Sequence, residues 1–220
     1  MYVGVNGIKL WYEKRGCGRP VVLLHGNGED HGVFSSLATA LEEEFELWLP
    51  DSRCHGNSTD TAEISYGAMT RDIAEFISAC GIHKPILLGF SDGGIVGLML
   101  AIEYPELLGG LIACGANTKP CGLKASFRIA CEVKHCLTRD KLLGLMINSP
   151  DISLSGLGRI SVPTLIVAGS RDLVRPEETE KQVRYIPGAE KFIFEGETHD
   201  SYVSGCALLA PLVRRMAGEA

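Results

Sequence analysis

A Gly-x-Ser-x-Gly motif spans residues 89–93 and places Ser91 between an apolar strand-like run and an apolar helix-like run. A turn tight enough to join a strand to a helix here strains the serine backbone and leaves no room for side chains on the flanking glycines. Ser91 then lies at a helix N-terminus, where free backbone N–H groups favour developing negative charge. The pattern predicts a nucleophilic serine that attacks a carbonyl carbon.

A serine hydroxyl is a weak nucleophile at neutral pH and needs a base, normally a histidine that is oriented by a carboxylate. Two later loops supply these groups, because Asp172 follows a predicted strand at 162–168 and His199 follows another at 191–194. Loops after parallel strands open on one edge of the sheet, which is also the edge that carries Ser91. The order Ser, Asp, His along the chain is typical of such a site.

Strands and helices alternate along most of the chain, and this alternation predicts a largely parallel sheet that is covered by helices on both faces. Asn6-Gly7 accepts positive φ at both turn positions and predicts an opening hairpin. The predicted strands are 2–5, 8–13, 21–24, 45–49, 86–88, 107–114, 162–168 and 191–194. The predicted helices are 33–41, a stretch between Ser65 and Gly81, 95–102, 176–185 and 202–216.

The alternation lapses between residues 117 and 150, where two helical pieces at 126–136 and 139–147 are rich in lysine and arginine. We expect this segment to be a short lid insertion over the strand ends, within a single domain that covers residues 1–220. Its basic residues are interpreted as a solvated face, with contact to an anionic substrate as the alternative.

Five stretches in this order resemble the α/β-hydrolase superfamily, and the resemblance covers almost the whole chain. They are Leu23-Leu24-His25-Gly26, the loop 51–58 (similar to the family's Asp-x-Arg-Gly-His-Gly-x-Ser), 89–93, 169–172 and His199. The resemblance implies an α/β-hydrolase fold, with a mostly parallel central sheet, helices on both faces and a short helical lid.

The resemblance also implies a role for each site residue. Ser91 is the expected nucleophile, His199 the general base and then acid, and Asp172 the group that fixes the imidazole tautomer. The backbone N–H groups of Asn27 and Asp92 are the expected oxyanion hole. Relatives with a similar Ser-Asp-Gly-Gly sequence use the aspartate to hold a substrate ammonium, which makes the Asp92 side chain a possible substrate-binding group.

The expected function is therefore that of a cofactor-free serine hydrolase, a carboxylesterase that cleaves small to medium esters through an acyl-serine intermediate. Amino-acid ester, thioester, amide, lactone and carbon–carbon bond hydrolysis remain open because they use the same triad, and so does acyl transfer to peroxide. A ligand-binding protein on a hydrolase fold, with negligible turnover, is a further alternative.

Charge and composition limit the kinds of partner that we expect. A formal net charge of -6 argues against nucleic acid, whose phosphates need a basic surface. Neither a signal-like N-terminus nor a membrane-length apolar stretch is found, so we expect a cytoplasmic protein that acts on a small-molecule ester and binds no membrane. A cluster of Cys121, Cys131, His135 and Cys136 lacks the paired spacing of zinc sites, so no metal is expected. The oligomeric state is left open.

Overall fold

The computed structural model describes residues 1–218, and residues 219–220 of the predicted domain lie outside the described part. Within residues 1–218, eight strands form one sheet in the order β1-β2-β4-β3-β5-β6-β7-β8. The strands are β1 (Tyr2–Val5), β2 (Ile8–Arg15), β3 (Arg19–Leu24), β4 (Phe45–Pro50), β5 (Ile86–Phe90), β6 (Gly110–Cys114), β7 (Thr164–Gly169) and β8 (Glu190–Phe194). β1 and β2 pair in the antiparallel sense, as do β2 and β4, and all other neighbours are parallel.

Helices cover both faces of this sheet. They are α1 (Ser35–Leu41), α2 (Tyr66–Ala79), α3 (Asp92–Glu103), α4 (Ala125–Thr138), α5 (Lys141–Asn148), α6 (Leu154–Leu157), α7 (Pro176–Tyr185) and α8 (Ala210–Ala217). One apolar core joins the sheet to α2 and α3, and a second core on the opposite face joins it to α1 and α8. The predicted α/β class, with a mostly parallel sheet between two helical layers, is confirmed.

The hydrophobic patterns explain why these elements form. Alternate residues of β5 enter opposite cores, with Leu87 on the α3 side and Ile86 and Leu88 on the α8 side. α2 is amphipathic and begins where the Ser65 hydroxyl accepts a hydrogen bond from the Ala68 backbone N–H, as predicted. The opening hairpin also forms as predicted.

The predicted helix at 202–216 is correct only in its second half, since α8 begins at Ala210. Tyr202 and Val203 are buried, but they lie in turns, and Gly205 adopts a φ of +67° that a helix does not accommodate. The apolar spacing of this stretch therefore reflects packing beneath the preceding loop rather than a helical face.

The segment 117–150 consists of a short 3₁₀ turn at Pro120–Gly122 followed by α4 and α5, which pack against one another. Asp140 caps α5 by accepting hydrogen bonds from the backbone N–H groups of Leu142 and Leu143. In the described part of the chain, every helix is too short or too polar to cross a membrane.

Candidate active site

Ser91 lies between β5 and α3, in a turn of the kind that the motif predicts. Its backbone has φ 51° and ψ -112°, a strained combination for a residue with a side chain. A Cβ atom on Gly89 would come within 2.2 Å of the carbonyl oxygen of Gly93, so this turn requires glycine there. The Ser91 backbone N–H donates to the Cys114 carbonyl at 2.8 Å and thereby ties the turn to the end of β6.

The structure brings the three predicted triad residues together. The distance from His199 Nε2 to Ser91 Oγ is 3.1 Å, and the distance from His199 Nδ1 to Asp172 Oδ1 is 2.6 Å. Because an ionised carboxylate only accepts hydrogen bonds, Nδ1 carries the proton, and Nε2 of the neutral ring is free to accept from the serine hydroxyl. The ring is therefore oriented to withdraw the Ser91 proton.

Asp172 is buried at the end of β7 and is held by several donors. Its carboxylate accepts from the backbone N–H of Val174 at 2.9 Å and from that of Gly169 at 3.2 Å, with the Tyr202 hydroxyl at 3.5 Å. Burial raises the pKa of this carboxyl, but the hydrogen bond and charge of His199 together with these backbone groups outweigh it and lower the pKa below its usual value. Asp172 is thus ionised at neutral pH.

Asp200 is adjacent to His199 but does not contact its imidazole. It accepts a hydrogen bond from the Thr198 hydroxyl at 3.0 Å instead, while the ring packs against Phe90 with the ring centroids 4.9 Å apart. Asp172, and not the adjacent Asp200, is therefore the carboxylate that is hydrogen-bonded to the histidine.

Asn27 and Asp92, the predicted oxyanion-hole residues, are joined through their side chains. The Asn27 amide Nδ2 donates to Asp92 Oδ2 at 2.9 Å and to the Leu142 carbonyl of α5 at 3.2 Å. The Tyr66 hydroxyl donates to the other Asp92 oxygen at 2.7 Å. Burial raises the pKa of the Asp92 carboxyl, whereas the hydrogen bonds from Tyr66 and Asn27 act in the opposite direction.

Tyr66 was not expected at the site, because in the sequence it looks like the first apolar residue of a helix. Glu29 was also missed, since it lies in a glycine-rich loop without a recognisable motif. Its Oε2 accepts from the Gly26 backbone N–H at 2.9 Å, and burial raises its pKa. Glu29 lies in the loop after β3, and Tyr66 follows the loop after β4. A position beyond the carboxyl end of a strand is the only signal that the sequence offers for either residue.

A cavity of about 280 Å³ opens beside the serine. Its apolar lining comes largely from the segment 117–150 and the loop after β7. Much of its polar lining comes from Ser91, His199 and the loop that follows β3 (residues 25–30), which we call the oxyanion loop after its predicted role. The lining residues are Asn27, Glu29, Phe90, Ser91, Asp92, Asn117, Leu123, Phe127, Met146, Leu173, His199 and Asp200. The cavity is large enough for a small acyl group next to the serine hydroxyl.

His25 is buried next to the site and makes hydrogen bonds with two of the loops that form it. Its Nε2 accepts from the Ser52 backbone N–H at 2.9 Å, and its Nδ1 lies 2.8 Å from the Gly26 carbonyl. Burial lowers the pKa of His25 to about 4, so the ring is neutral and joins the oxyanion loop to the loop after β4. Arg53 of the same loop forms a buried ion pair with Asp72 of α2, with two contacts of 2.6 Å.

The eight cysteines are free thiols, including Cys121, Cys131 and Cys136 of the sequence cluster that was weighed as a metal site. Within residues 1–218, no group of three or more histidine, cysteine, aspartate or glutamate side chains is arranged to hold a metal ion. Among residues 1–218, the side-chain hydrogen bond of Ser91 Oγ is the one to His199 Nε2.

Comparison with known proteins adds three findings. A family model described as the alpha/beta hydrolase fold matches residues 19–130, just over half of the chain. A pimeloyl-[acyl-carrier protein] methyl ester esterase of Yersinia pseudotuberculosis is 36% identical over 115 residues, which cover 50% of this chain and 41% of that protein. The chain thus spans about two fifths of the length of the curated relatives that it matches.

Solved structures are similar over the whole chain. The enol-lactonase from Burkholderia xenovorans LB400 has a TM-score of 0.81 and 20% identity, with 100% of both chains covered. A thermophilic esterase from Thermogutta terrifontis has a TM-score of 0.81 and 23% identity, with 100% of this chain and 98% of that chain covered. At these identities the likeness shows a shared fold.

Proposed function

The chain belongs to the α/β-hydrolase fold family, and from that premise we propose that it is a serine hydrolase that cleaves small to medium carboxylic esters through an acyl-serine intermediate. One observation carries the proposal. The Ser91 hydroxyl, the His199 imidazole and the Asp172 carboxylate form a continuous hydrogen-bonded line, with contacts of 3.1 and 2.6 Å, at the wall of a cavity.

The acylation step follows from the tautomer of His199. As Ser91 Oγ attacks the carbonyl carbon of the ester, Nε2 takes its proton, and the carbonyl oxygen becomes an oxyanion. The tetrahedral intermediate collapses when the bond from carbon to the leaving oxygen breaks, and the imidazolium returns the proton to that oxygen. The products of this step are the free alcohol and an ester on Ser91.

Deacylation repeats the sequence with water. Nε2 of His199 takes a proton from a water molecule as that water attacks the acyl carbon, and the second collapse breaks the bond to Ser91 Oγ. The proton passes from Nε2 to Oγ, so the free carboxylic acid leaves and the serine is restored. Throughout, the ionised Asp172 stabilises the positive charge that forms on the ring.

The oxyanion is assigned to the backbone N–H groups of Asn27 and Asp92, which lie in the oxyanion loop and at the first turn of α3. A single donor of this kind contributes about 3 kcal/mol to the transition state in measured enzymes. Such a contribution requires a rigid donor, and the side-chain contacts of Asn27 with Asp92 and Leu142 supply that rigidity.

Two features support an ester as the substrate. The cavity offers an apolar wall, with Phe127, Met146 and Leu173, next to a polar floor, an arrangement that suits a short acyl chain on a polarised carbonyl. The similar proteins include a methyl ester esterase, an esterase and an enol-lactonase, whose names all refer to ester bonds.

For the Asp92 side chain we favour a positioning role over the binding of a substrate ammonium. Both carboxylate oxygens already accept hydrogen bonds, from Tyr66 and from Asn27, and the residue is 2% exposed. The ammonium role stays a prediction. It is tested by comparing Asp92→Asn on an α-amino ester and on the uncharged counterpart, where equal effects on both esters count against it.

The proposed function is tested by labelling with a fluorophosphonate probe, followed by measurement of the intact mass. Wild type is expected to gain one adduct and Ser91→Ala none. The control is Ser204→Ala, which replaces an exposed serine in the loop before α8 and should keep the adduct. Folded wild type without any adduct would refute the serine mechanism and favour a ligand-binding protein. A panel of p-nitrophenyl esters then defines the acyl length.

A further inference from the structure

Glu29 is a carboxylate of the cavity lining that the steps of acylation and deacylation do not use. Its Oε2 accepts a hydrogen bond from the Gly26 backbone N–H at 2.9 Å, which holds the side chain against the oxyanion loop. A Cβ atom on Gly26 would lie 2.8 Å from this oxygen and 3.2 Å from the Cβ atom of Ser91. The Glu29 carboxylate is therefore fixed close to the nucleophile.

The second oxygen of this carboxylate, Oε1, accepts no hydrogen bond from residues 1–218 and is accessible to solvent. The buried carboxylates of the site differ in this respect. Both oxygens of Asp92 accept hydrogen bonds, and Asp172 is paired with His199. Glu29 thus brings to the cavity a carboxylate oxygen that is free to bind a group of the substrate.

The charge of Glu29 lacks a basic partner on the described part of the chain. No lysine or arginine of residues 1–218 lines the cavity or pairs with this carboxylate. Burial is the main cause that raises the pKa of the Glu29 carboxyl, and the charges of Asp200 and Asp92 raise it further, against the hydrogen bond from the Gly26 N–H. A positively charged ligand group beside Oε1 would supply the missing charge.

The aromatic part of the lining also suits a positive group. Phe90 and Phe127 both line the cavity. The face of an aromatic ring carries partial negative charge and attracts ammonium groups, including quaternary ones that donate no hydrogen bond. A cationic group would be attracted by these rings and by Glu29, whereas a carboxylate at the same place would be repelled.

We propose that Glu29 determines the specificity of the active site by binding a cationic group of the substrate, an ammonium carried by the acyl or the alcohol part of the ester. This inference rests on the proposed hydrolysis and adds a substrate class to it. It assigns the ammonium to Glu29 rather than to Asp92, whose two oxygens already accept hydrogen bonds.

The test compares esters that differ in charge and hardly in shape. One pair is choline butanoate and its carbon isostere, in which a tert-butyl group replaces the trimethylammonium group of the alcohol. The other pair is p-nitrophenyl trimethylammoniobutanoate and the corresponding isostere, which place the difference in the acyl part. The readout is the ratio of kcat/KM for the cationic ester over the neutral one, because a loss of turnover common to both esters cancels in this ratio.

In wild type we expect a ratio of about ten for at least one pair, the size of a charge pair that water partly screens. Glu29→Gln should bring that ratio close to one, since glutamine keeps an oxygen for the Gly26 N–H and removes the charge. The matched control is Glu103→Gln, which removes an exposed carboxylate at the far end of α3 and should keep the wild-type ratio. The pair that shows the preference identifies the part of the ester that carries the ammonium.

Binding is measured separately by calorimetry in the Ser91→Ala background, where the choline ester and its isostere are held without cleavage. Ser91→Ala should bind the choline ester about tenfold more tightly than the isostere. Ser91→Ala/Glu29→Gln should bind the two esters equally. This comparison decides the role of Glu29 even if wild type cleaves no ester and forms no fluorophosphonate adduct, the result that would refute the proposed hydrolysis.

Three results would overturn the proposal. The first is a ratio close to one for both pairs in wild type that cleaves the neutral esters. The second is a wild-type ratio in folded Glu29→Gln. The third is a ratio that falls in Asp92→Asn and not in Glu29→Gln, because the ammonium would then belong to Asp92.

Discussion

Replacing Asn27 with alanine separates the two contributions of this residue to the site. The variant keeps the backbone N–H that we assign to the oxyanion hole. It removes the side-chain amide, which donates to Asp92 Oδ2 at 2.9 Å and to the Leu142 carbonyl at 3.2 Å. The oxyanion loop then loses its side-chain hydrogen bonds to α3 and α5, although Ser91, His199 and Asp172 are unchanged.

The size of the effect has an upper limit. A donor that moves out of position loses at most the contribution of one oxyanion hydrogen bond, which corresponds to about a hundredfold to a thousandfold in kcat. Because the loop is still held by Glu29 and His25, we expect only part of that loss, about tenfold to a hundredfold in kcat. KM should change little, since the interaction forms mainly in the transition state.

Stability supplies a readout that does not depend on turnover. In Asn27→Ala the buried Asp92 carboxylate keeps a single donor, Tyr66, and losing the other donor costs about 1–3 kcal/mol of unfolding free energy. The pKa of Asp92 is already raised by burial, and losing a donor raises it further. Since the protonated carboxyl no longer needs that donor, the deficit relative to wild type should shrink as the pH falls.

The assay measures kcat and KM on the best p-nitrophenyl ester, and urea unfolding at several pH values. Asn148→Ala is the matched control, because that amide donates only to the Gly144 carbonyl within α5. A kcat of Asn27→Ala within twofold of wild type would refute the positioning argument. A loss above a thousandfold in a folded variant would also contradict it, because the side chain would then do more than position one donor.

Three further predictions concern the triad and the buried polar groups. Asp172→Asn should lower kcat by about ten-thousandfold and leave more activity than Ser91→Ala, as measured by turnover of the same ester. Burial lowers the pKa of His25 to about 4, so this ring is protonated more easily in the unfolded chain than in the folded one. The free energy of unfolding should therefore fall by about 3 kcal/mol as the pH drops from about 6.5 to 4. In urea titrations, His25→Asn should show a weaker dependence of stability on pH over this range. Arg53→Ala should destabilise the fold by about 3–5 kcal/mol because it leaves the buried Asp72 carboxylate without its cation and with the Asn6 amide as its remaining side-chain donor. Arg53→Met/Asp72→Leu should recover most of that loss in denaturant unfolding.

The fold was predictable because its signals are local and repeated. A buried parallel strand appears in the sequence as a short apolar run, and the helix that follows it shows apolar residues every three or four positions. The order of these two patterns along the chain therefore predicts the alternation of strands and helices. The prediction of a helix over 202–216 was wrong in its first half for a related reason. Tyr202 is buried by its ring contact with Phe194, with centroids 5.3 Å apart, and burial by a distant partner imitates helical periodicity in the sequence.

The residues of the candidate site were predictable only where a sequence motif marked them. Ser91 and His199 lie in loops that follow strands, and their order along the chain is diagnostic of the family. Tyr66 reaches Asp92 from the N-terminus of α2, and the sequence does not reveal which residue of a helix end points across a sheet edge. Contacts of this kind depend on how far each loop extends, which local patterns do not encode.

The order of the strands explains a further requirement of the triad. Ser91 follows β5 and His199 follows β8, and in the sheet β6 and β7 lie between these two strands. The imidazole must therefore pass over the end of β6 to reach the serine. At that end is Gly115, where a Cβ atom would come within 2.7 Å of His199 Cε1. The absence of a side chain at Gly115 is thus what allows the His199 imidazole, which follows an outer strand, to reach the Ser91 hydroxyl, which follows a central one.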